Sequence, residues 1–101
     1  LKYIEALNVT GESMEPLIKD QSLVFIDRSK TSLCFEKENI YVVNTPSGVL
    51  VKKVKFIPTY NKVQLISENK LYGAELFDLE DVIIIGKVVG TSDNEMIKEA
   101  A

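Results

Sequence analysis

The sequence predicts a small, mostly β domain: an antiparallel β-barrel or sandwich with at most short helical turns. In several short segments apolar residues recur at every second position, which is the pattern of strands that bury one face. Pro, Gly, Asn and Ser residues separate these segments, as turns between antiparallel strands require. The chain has 101 residues, the size of one compact domain.

The first third of the chain predicts two strands separated by a turn. Residues 3–9 alternate in polarity and predict the first strand. Residues 14–18 are compatible with one helical turn, because proline is tolerated near the start of a helix. Residues 23–27 (LVFID) predict the second strand, and residues 31–39 predict a polar loop that contains Cys34.

The rest of the chain contains the strongest strand signals. Four segments rich in β-branched or aromatic residues are predicted to be strands: residues 40–43, 49–57, 62–66 and 82–89. The turn sequence TPSG at residues 45–48 precedes the longest of them. We expect residues 62–66 to pair with that strand across the turn at residues 58–61.

The composition excludes the common catalytic centres. The chain contains no His, so neither a Ser-His-Asp nor a Cys-His arrangement can form. Its single Cys, Cys34, cannot form an intrachain disulfide, which suits a reducing cytoplasm. The chain lacks the Cys and His residues that a zinc site of the Cys/His type needs. The carboxylates Asp78, Glu80 and Asp81 fit no metal-ligand spacing. We therefore expect no cofactor, and proton chemistry must use Lys, Asp, Glu, Tyr or water.

The charge balance argues against direct contact with nucleic acid. The chain has 12 Lys and Arg residues against 15 Asp and Glu residues, a formal net charge of −3. An acidic domain is a poor electrostatic match to DNA. No apolar stretch approaches the ~20 residues that span a bilayer. We expect a cytoplasmic domain without a membrane partner.

Ser13 is the first candidate for chemistry, in the segment GESMEP at residues 11–16. A Ser in a Gly-containing turn can present its hydroxyl outward, and nearby backbone N–H groups can then hold an oxyanion. The same pattern fits a Ser that caps a helical turn, a role for which Ser is favoured. The segment by itself favours capping over catalysis.

Lys52 is the second candidate, within the strand predicted at residues 49–57. Alternate residues share a face of a strand, so Lys52 lies between Leu50 and Val54 on an apolar face. Burial disfavours the ammonium form, and a Lys with a lowered pKa can act as a general base. The alternative is a side chain that extends to water at the sheet edge.

Together, the two segments resemble those of the LexA-like peptidases, which include LexA, UmuD and many phage repressor C-terminal domains. Without His, a Ser nucleophile needs another base, and Lys is a known substitute. Residues 11–16 resemble the family's nucleophile box, G-[DE]-S-M-x-P, and VLVKKV at residues 49–54 is similar to its base-bearing strand. The segments VQLISEN (residues 63–69) and IIGKVVG (residues 84–90) resemble later strands, so the resemblance covers roughly residues 8–90.

The resemblance implies a Ser-Lys dyad in which Ser13 attacks a peptide bond of its own chain. Lys52 would take the proton of Ser13 and then give a proton to the leaving amine. The backbone N–H groups of Glu12 and Ser13 would hold the oxyanion. Four residues are expected to support the dyad: Gly11, Met14, Leu50 and Val54. Lys53 points to the opposite face, so we expect it to be dispensable for proton transfer.

The chain departs from the family pattern in two places. The family usually has Gly-Asp where this chain has Gln21 and Ser22. Because Gly often supplies a positive φ, we expect the turn to differ locally without affecting the dyad. The loop at residues 31–39 has no counterpart in the resemblance, and we interpret Cys34 as a loop or partly buried thiol rather than a nucleophile.

We interpret the chain as a fragment of a longer protein. It begins at Leu1 without an initiator Met, and it contains neither Ala-Gly nor Cys-Gly, the bonds that the family usually cleaves. Residues 1–90 are predicted to be the peptidase and dimerisation domain, and residues 91–101 a C-terminal tail. The N-terminal DNA-binding domain and the cleavage loop are expected to be absent from it.

The resemblance favours a C-terminal autoproteolytic and dimerisation domain of a LexA- or phage-repressor-like transcriptional regulator. Self-cleavage would inactivate the repressor in an SOS-type response, with a RecA-type filament as co-activator. The homodimer would place two helix-turn-helix domains, the only parts that bind DNA, on a palindromic operator. Two alternatives stay open: a non-cleaving dimerisation module of a phage or plasmid regulator, and a leader peptidase catalytic fragment.

Overall fold

A computed structural model describes residues 3–33 and 38–92 of the chain. Within these residues the chain forms one antiparallel sheet of seven strands, which confirms the predicted mostly β fold. The strands are β1 (Ile4–Asn8), β2 (Leu23–Asp27), β3 (Asn39–Thr45), β4 (Gly48–Ile57), β5 (Lys62–Ile66), β6 (Ala74–Asp78) and β7 (Ile83–Ser92). The predictions for Cys34 and for residues 93–101 lie outside the described residues.

The last strand of the chain lies in the middle of the sheet, whose order is β1-β2-β7-β3-β4-β5-β6. β7 pairs with β2 on one side and with β3 on the other. It extends to Ser92, which pairs with Leu23. The strand therefore continues beyond residue 90, into the segment predicted as a tail.

Two hairpins connect β3, β4 and β5, as the sequence predicts. Thr45 pairs with Gly48, whose φ of 109° lies in the region that favours glycine. β4 pairs with β5 only from Lys53 onward, across a short 3-10 helix at Pro58–Tyr60. Among the described residues, the first half of β4 (residues 48–52) therefore pairs with β3 alone.

Two elements differ from the prediction. The sequence of β6 does not predict a strand, because its side chains are mostly exposed and lack the alternation of a half-buried segment. Residues 14–18 form hydrogen-bonded turns and not a helical turn. Pro16 explains this difference, because the residue before a proline is disfavoured in the helical region. In the described ranges, no helix is long and apolar enough to cross a membrane.

Apolar side chains pack on both faces of the sheet. Val42 of β3 packs in a first cluster with Met14 and Ile18. Its neighbours Tyr41 and Val43 pack in a second cluster. This division follows from the alternation of side chains along a strand.

Two irregularities in β7 bend the sheet. The register shifts where β7 faces Phe25 and Ile26 of β2, and again where it faces Val42 and Val43 of β3. Bulges of this kind bend a strand and increase its twist. β1, at one edge of the sheet, and the first half of β4 line one cleft.

Candidate active site

A cleft of about 320 Å3 opens between β1, the turn that follows it and the first half of β4. This volume falls within the range of roughly 300–1,000 Å3 that is typical of ligand pockets. The cleft is lined by Leu7, Asn8, Val9, Thr10, Ser13, Met14, Val49, Leu50, Val51 and Lys52. Both residues of the predicted dyad, Ser13 and Lys52, therefore lie on the wall of one cleft.

The turn that carries Ser13, here called the Ser13 turn (residues 11–18), is anchored by hydrogen bonds. Gly11 has a φ of 106°, and its N–H donates to the carboxylate of Asp20 at 2.8 Å. This hydrogen bond is the largest cause that lowers the pKa of Asp20 below its ordinary value. Within the turn, the N–H of Ile18 donates to the carbonyl of Met14 at 2.8 Å.

Gln21, at the departure from the family pattern, has a left-handed backbone conformation. Gln21 has a φ of 69°, a conformation that Gly adopts at less cost. Its N–H donates to the carbonyl of Val9 at 2.8 Å. The N–H of Val9 donates in turn to the carbonyl of Ser22 at 2.9 Å. These bonds join the chain that leaves β1 to the chain that enters β2.

Ser13 itself is half-buried. Its hydroxyl takes part in none of the side-chain hydrogen bonds of residues 3–33 and 38–92, and no helix follows it for the hydroxyl to cap. The N–H of Glu15 donates to the carbonyl of Glu12 at 3.1 Å. Among the backbone hydrogen bonds of this turn, the N–H groups of Ser13 and Met14 are not donors.

Lys52 is half-buried on β4, and its strand neighbours Leu50 and Val54 pack into the second apolar cluster. Burial lowers the pKa of Lys52, because it disfavours the ammonium form. The negative charge of Glu75 on β6 acts in the opposite direction and raises the pKa. Burial is the larger of the two effects, so Lys52 loses its proton more readily than an exposed Lys.

The β5–β6 loop contacts both parts of the site. Lys52 Nζ donates to the Oγ of Ser67 at 2.9 Å. The N–H of Asn69 donates to the carbonyl of Ser13 at 2.9 Å, and its Nδ2 donates to the carbonyl of Glu12 at 3.1 Å. The loop therefore links the strand that carries Lys52 to the turn that carries Ser13.

Lys53 extends to a different partner from that of Lys52. Its Nζ lies 2.8 Å from a carboxylate oxygen of Glu68 in the β5–β6 loop. The N–H of Glu68 also donates to the sulfur of Met14 at 3.4 Å. Sequence reasoning missed these contacts, because the SEN segment indicated only the family resemblance and no local pattern specifies what a loop touches.

The carboxylates considered as metal ligands lie at the far end of β6 and beyond. Asp78 forms an ion pair with Lys62, its partner across the β5–β6 pair. In the part of the chain that the structure describes, no group of three or more His, Cys, Asp or Glu side chains could hold a metal ion.

The cleft contains each kind of group that acyl transfer without His requires: a hydroxyl nucleophile, a lysine with a lowered pKa and backbone N–H donors. The hydrogen bond of Lys52 goes to Ser67 and not to Ser13. The nucleophile and the base thus share a cleft without being bonded to each other.

Comparison with models of known protein families identifies a family that the chain resembles over most of its length. A family model described as Peptidase S24-like matches residues 2–89, which is most of the chain. The matched segment contains both Ser13 and Lys52 and reaches into β7. Comparison with curated proteins finds no match.

Proposed function

The chain belongs to the Peptidase S24-like family, and we propose that it is the self-cleaving domain of a LexA- or phage-repressor-like regulator. The family is one of serine peptidases of the LexA, UmuD and phage repressor type. The observation that carries the proposal is the shared cleft, in which Ser13 lies with a Lys52 whose pKa burial lowers.

The proposed reaction begins with the neutral form of Lys52. Lys52 takes the proton of Ser13 as Oγ bonds to the carbonyl carbon of the scissile peptide, which forms a tetrahedral oxyanion. The backbone N–H of Ser13, with that of Glu12, holds the oxyanion. Collapse of this intermediate breaks the C–N bond, and the protonated Lys52 gives its proton to the leaving amine. Water then hydrolyses the ester by the same steps.

We propose that the hydrogen bond between Lys52 and Ser67 belongs to the resting state of the site, before a substrate binds. In the proposed cycle, Lys52 Nζ leaves Ser67 and reaches Ser13 when a peptide segment, or a reagent that reacts with Ser13, occupies the cleft. A filled cleft excludes water from Nζ, which further disfavours the ammonium form. Occupation of the cleft and activation of the base are therefore coupled.

Two unpaired strand edges support an extended peptide as the occupant of the cleft. In the part of the chain that the structure describes, β1 pairs with β2 on one side only, and residues 48–52 of β4 pair with β3 alone. Residues 7–10 and 49–52 line the cleft from its two sides. Free N–H and C=O groups of such edges bind an extended segment by strand addition. We propose that the cleavage segment of the complete protein binds in this way.

The proposed role as a self-cleaving repressor domain also implies particular binding partners. We propose that the domain pairs with a second copy in the cytoplasm and contacts DNA only through a separate N-terminal helix-turn-helix domain. The net charge of −3 supports a role away from DNA. A RecA-type filament is the proposed co-activator. Sedimentation velocity measures the pairing, and a monomer at micromolar concentration would contradict it.

The dyad is tested by reaction of the chain with a fluorophosphonate, a reagent for activated serine hydroxyls. The Ser13 Oγ–P bond forms, the P–F bond breaks, fluoride leaves and Lys52 takes the hydroxyl proton. We expect the labelling rate to rise with pH, with a midpoint below the ordinary Lys pKa of about 10.4, because burial lowers the pKa of Lys52. Intact-mass and peptide mass spectrometry give the rate and the modified residue.

Variants assign the roles in this test. Ser13→Ala removes the nucleophile and Lys52→Ala removes the base, so each should lower the rate by about 100-fold or more. Lys55, exposed on the same strand, gives the matched control, and both Lys53→Ala and Lys55→Ala should keep the pH-dependent reaction. Labelling of the Lys52→Ala chain at the original rate would contradict the dyad.

A further inference from the structure

We propose that Asn69 is the positioning residue of the oxyanion site. It fixes the two peptide groups on either side of Ser13 so that the N–H of Ser13 is presented to the reacting carbonyl. This inference rests on the proposed function and deepens it, because it names the side chain that orients the Ser13 donor.

The hydrogen bonds of Asn69 carry the geometry. Its Nδ2 binds the carbonyl oxygen of Glu12 at 3.1 Å, and its backbone N–H binds the carbonyl oxygen of Ser13 at 2.9 Å. A trans peptide group is planar, and its N–H points opposite to its C=O. The N–H groups of Ser13 and Met14, which belong to these two peptide groups, therefore point away from Asn69.

The fold of the turn does not use the N–H groups of Ser13 and Met14, since neither is a donor in its backbone hydrogen bonds. Ser13 and Met14 both line the cleft, whereas Asn69 does not. Asn69 thus contacts the turn from outside the cleft and leaves the N–H of Ser13 for an anion within it. Backbone N–H groups placed in this way are the usual donors of an oxyanion hole.

Asn69 is itself held in place. Its Oδ1 accepts the N–H of Leu71 at 3.0 Å, and its carbonyl accepts the N–H of Tyr72 at 3.0 Å. The preceding residue, Glu68, forms the ion pair with Lys53 of β4. A side chain with both ends of its amide bonded has one orientation, which is what a positioning residue needs.

The same loop also contacts the base, because Ser67 accepts the hydrogen bond of Lys52. Ser67 and Asn69 are two residues apart in one anchored segment. A displacement of this loop therefore changes the oxyanion donors and the base together. A change confined to the amide of Asn69 should affect the donors alone, and this difference can be measured.

The experiment measures fluorophosphonate labelling of Ser13 as a function of pH, which gives a plateau rate and a pH midpoint. Asn69→Ala and Asn69→Asp both remove the Nδ2 donor to the carbonyl of Glu12, and Asp keeps the shape of Asn. We expect the plateau rate to fall by about 10-fold or more in both, since one lost oxyanion donor costs about 100- to 1,000-fold in rate. The midpoint should stay unchanged in Asn69→Ala.

Asn44→Asp, at an exposed position of β3, is the matched control and should label at the original rate. Thermal unfolding shows that each variant is folded at the assay temperature. An Asn69→Ala plateau equal to that of the unsubstituted chain would overturn the inference, as would a lower rate that a shifted midpoint explains. If the unsubstituted chain itself shows no labelling at Ser13, the proposed function fails first.

Discussion

At the scale of single residues, Lys52 shows what a sequence can and cannot predict. The period of a strand places it on the face of Leu50 and Val54, and these two residues pack in one apolar cluster. Its hydrogen bond to Ser67 was not predictable, because that contact joins two segments whose relative position depends on the β5–β6 loop. The local sequence period predicts on which face of the strand a side chain lies. Its hydrogen-bond partner depends on the tertiary structure.

The charge of Glu75 gives a prediction at this scale. Its carboxylate raises the pKa of Lys52 against the larger effect of burial. Glu75→Gln removes that charge, so the pKa of Lys52 should fall further and the midpoint of Ser13 labelling should move to lower pH. The shift should be modest, because water and salt screen the charge of an exposed carboxylate.

The control for this prediction is Glu80→Gln, which removes an exposed carboxylate that does not influence the pKa of Lys52. Labelling below the midpoint should be faster in Glu75→Gln, because a larger fraction of Lys52 is neutral there. A midpoint that moves to higher pH would show that Glu75 acts on the site by some means other than its charge.

At the scale of elements, local patterns predict the strands that bury one face and fail for those that do not. β2 and β5 have the predicted bounds, and the hairpin between β4 and β5 pairs as expected. The sequence does not predict β6. This strand lies at the sheet edge with most of its side chains in solvent, so its sequence lacks the apolar alternation of a half-buried strand. The turn at residues 14–18 differs because Pro16 opposes helical geometry in the residue before it.

Gly86 of β7 gives a prediction at the scale of elements. A Cβ atom at this buried position would lie 2.8 Å from the backbone oxygen of Asp27 and 3.2 Å from Cα of Arg28. The backbone of β2 would have to move, so Gly86→Ala should lower the free energy of unfolding by about 1–3 kcal/mol. Urea denaturation measures this change.

Gly90 of the same strand is the matched control. A Cβ atom there meets the ring of Phe25 at 3.6 Å, an ordinary contact. Gly90→Ala should therefore change the free energy of unfolding by less than about 0.5 kcal/mol. Equal stabilities for the two variants would show that the close approach of β7 to β2 at Gly86 is not a constraint.

At the scale of the whole molecule, the order of the strands creates the site. β7 lies between β2 and β3, and β1 and the first half of β4 line one cleft although they are not neighbours in the strand order. No local pattern predicts this insertion. The expectation that Ser13 and Lys52 act together rests on the family resemblance and on the absence of His, which leaves Lys as the base.

The most direct measurement of the central claim is the rate of self-cleavage of the complete protein as a function of pH, followed by the appearance of its fragments. Cleavage should accelerate as Lys52 loses its proton, with a midpoint below the ordinary Lys pKa of about 10.4. Ser13→Ala and Lys52→Ala should each abolish cleavage, whereas Lys55→Ala should not. Unchanged cleavage of the Lys52→Ala protein would contradict the account.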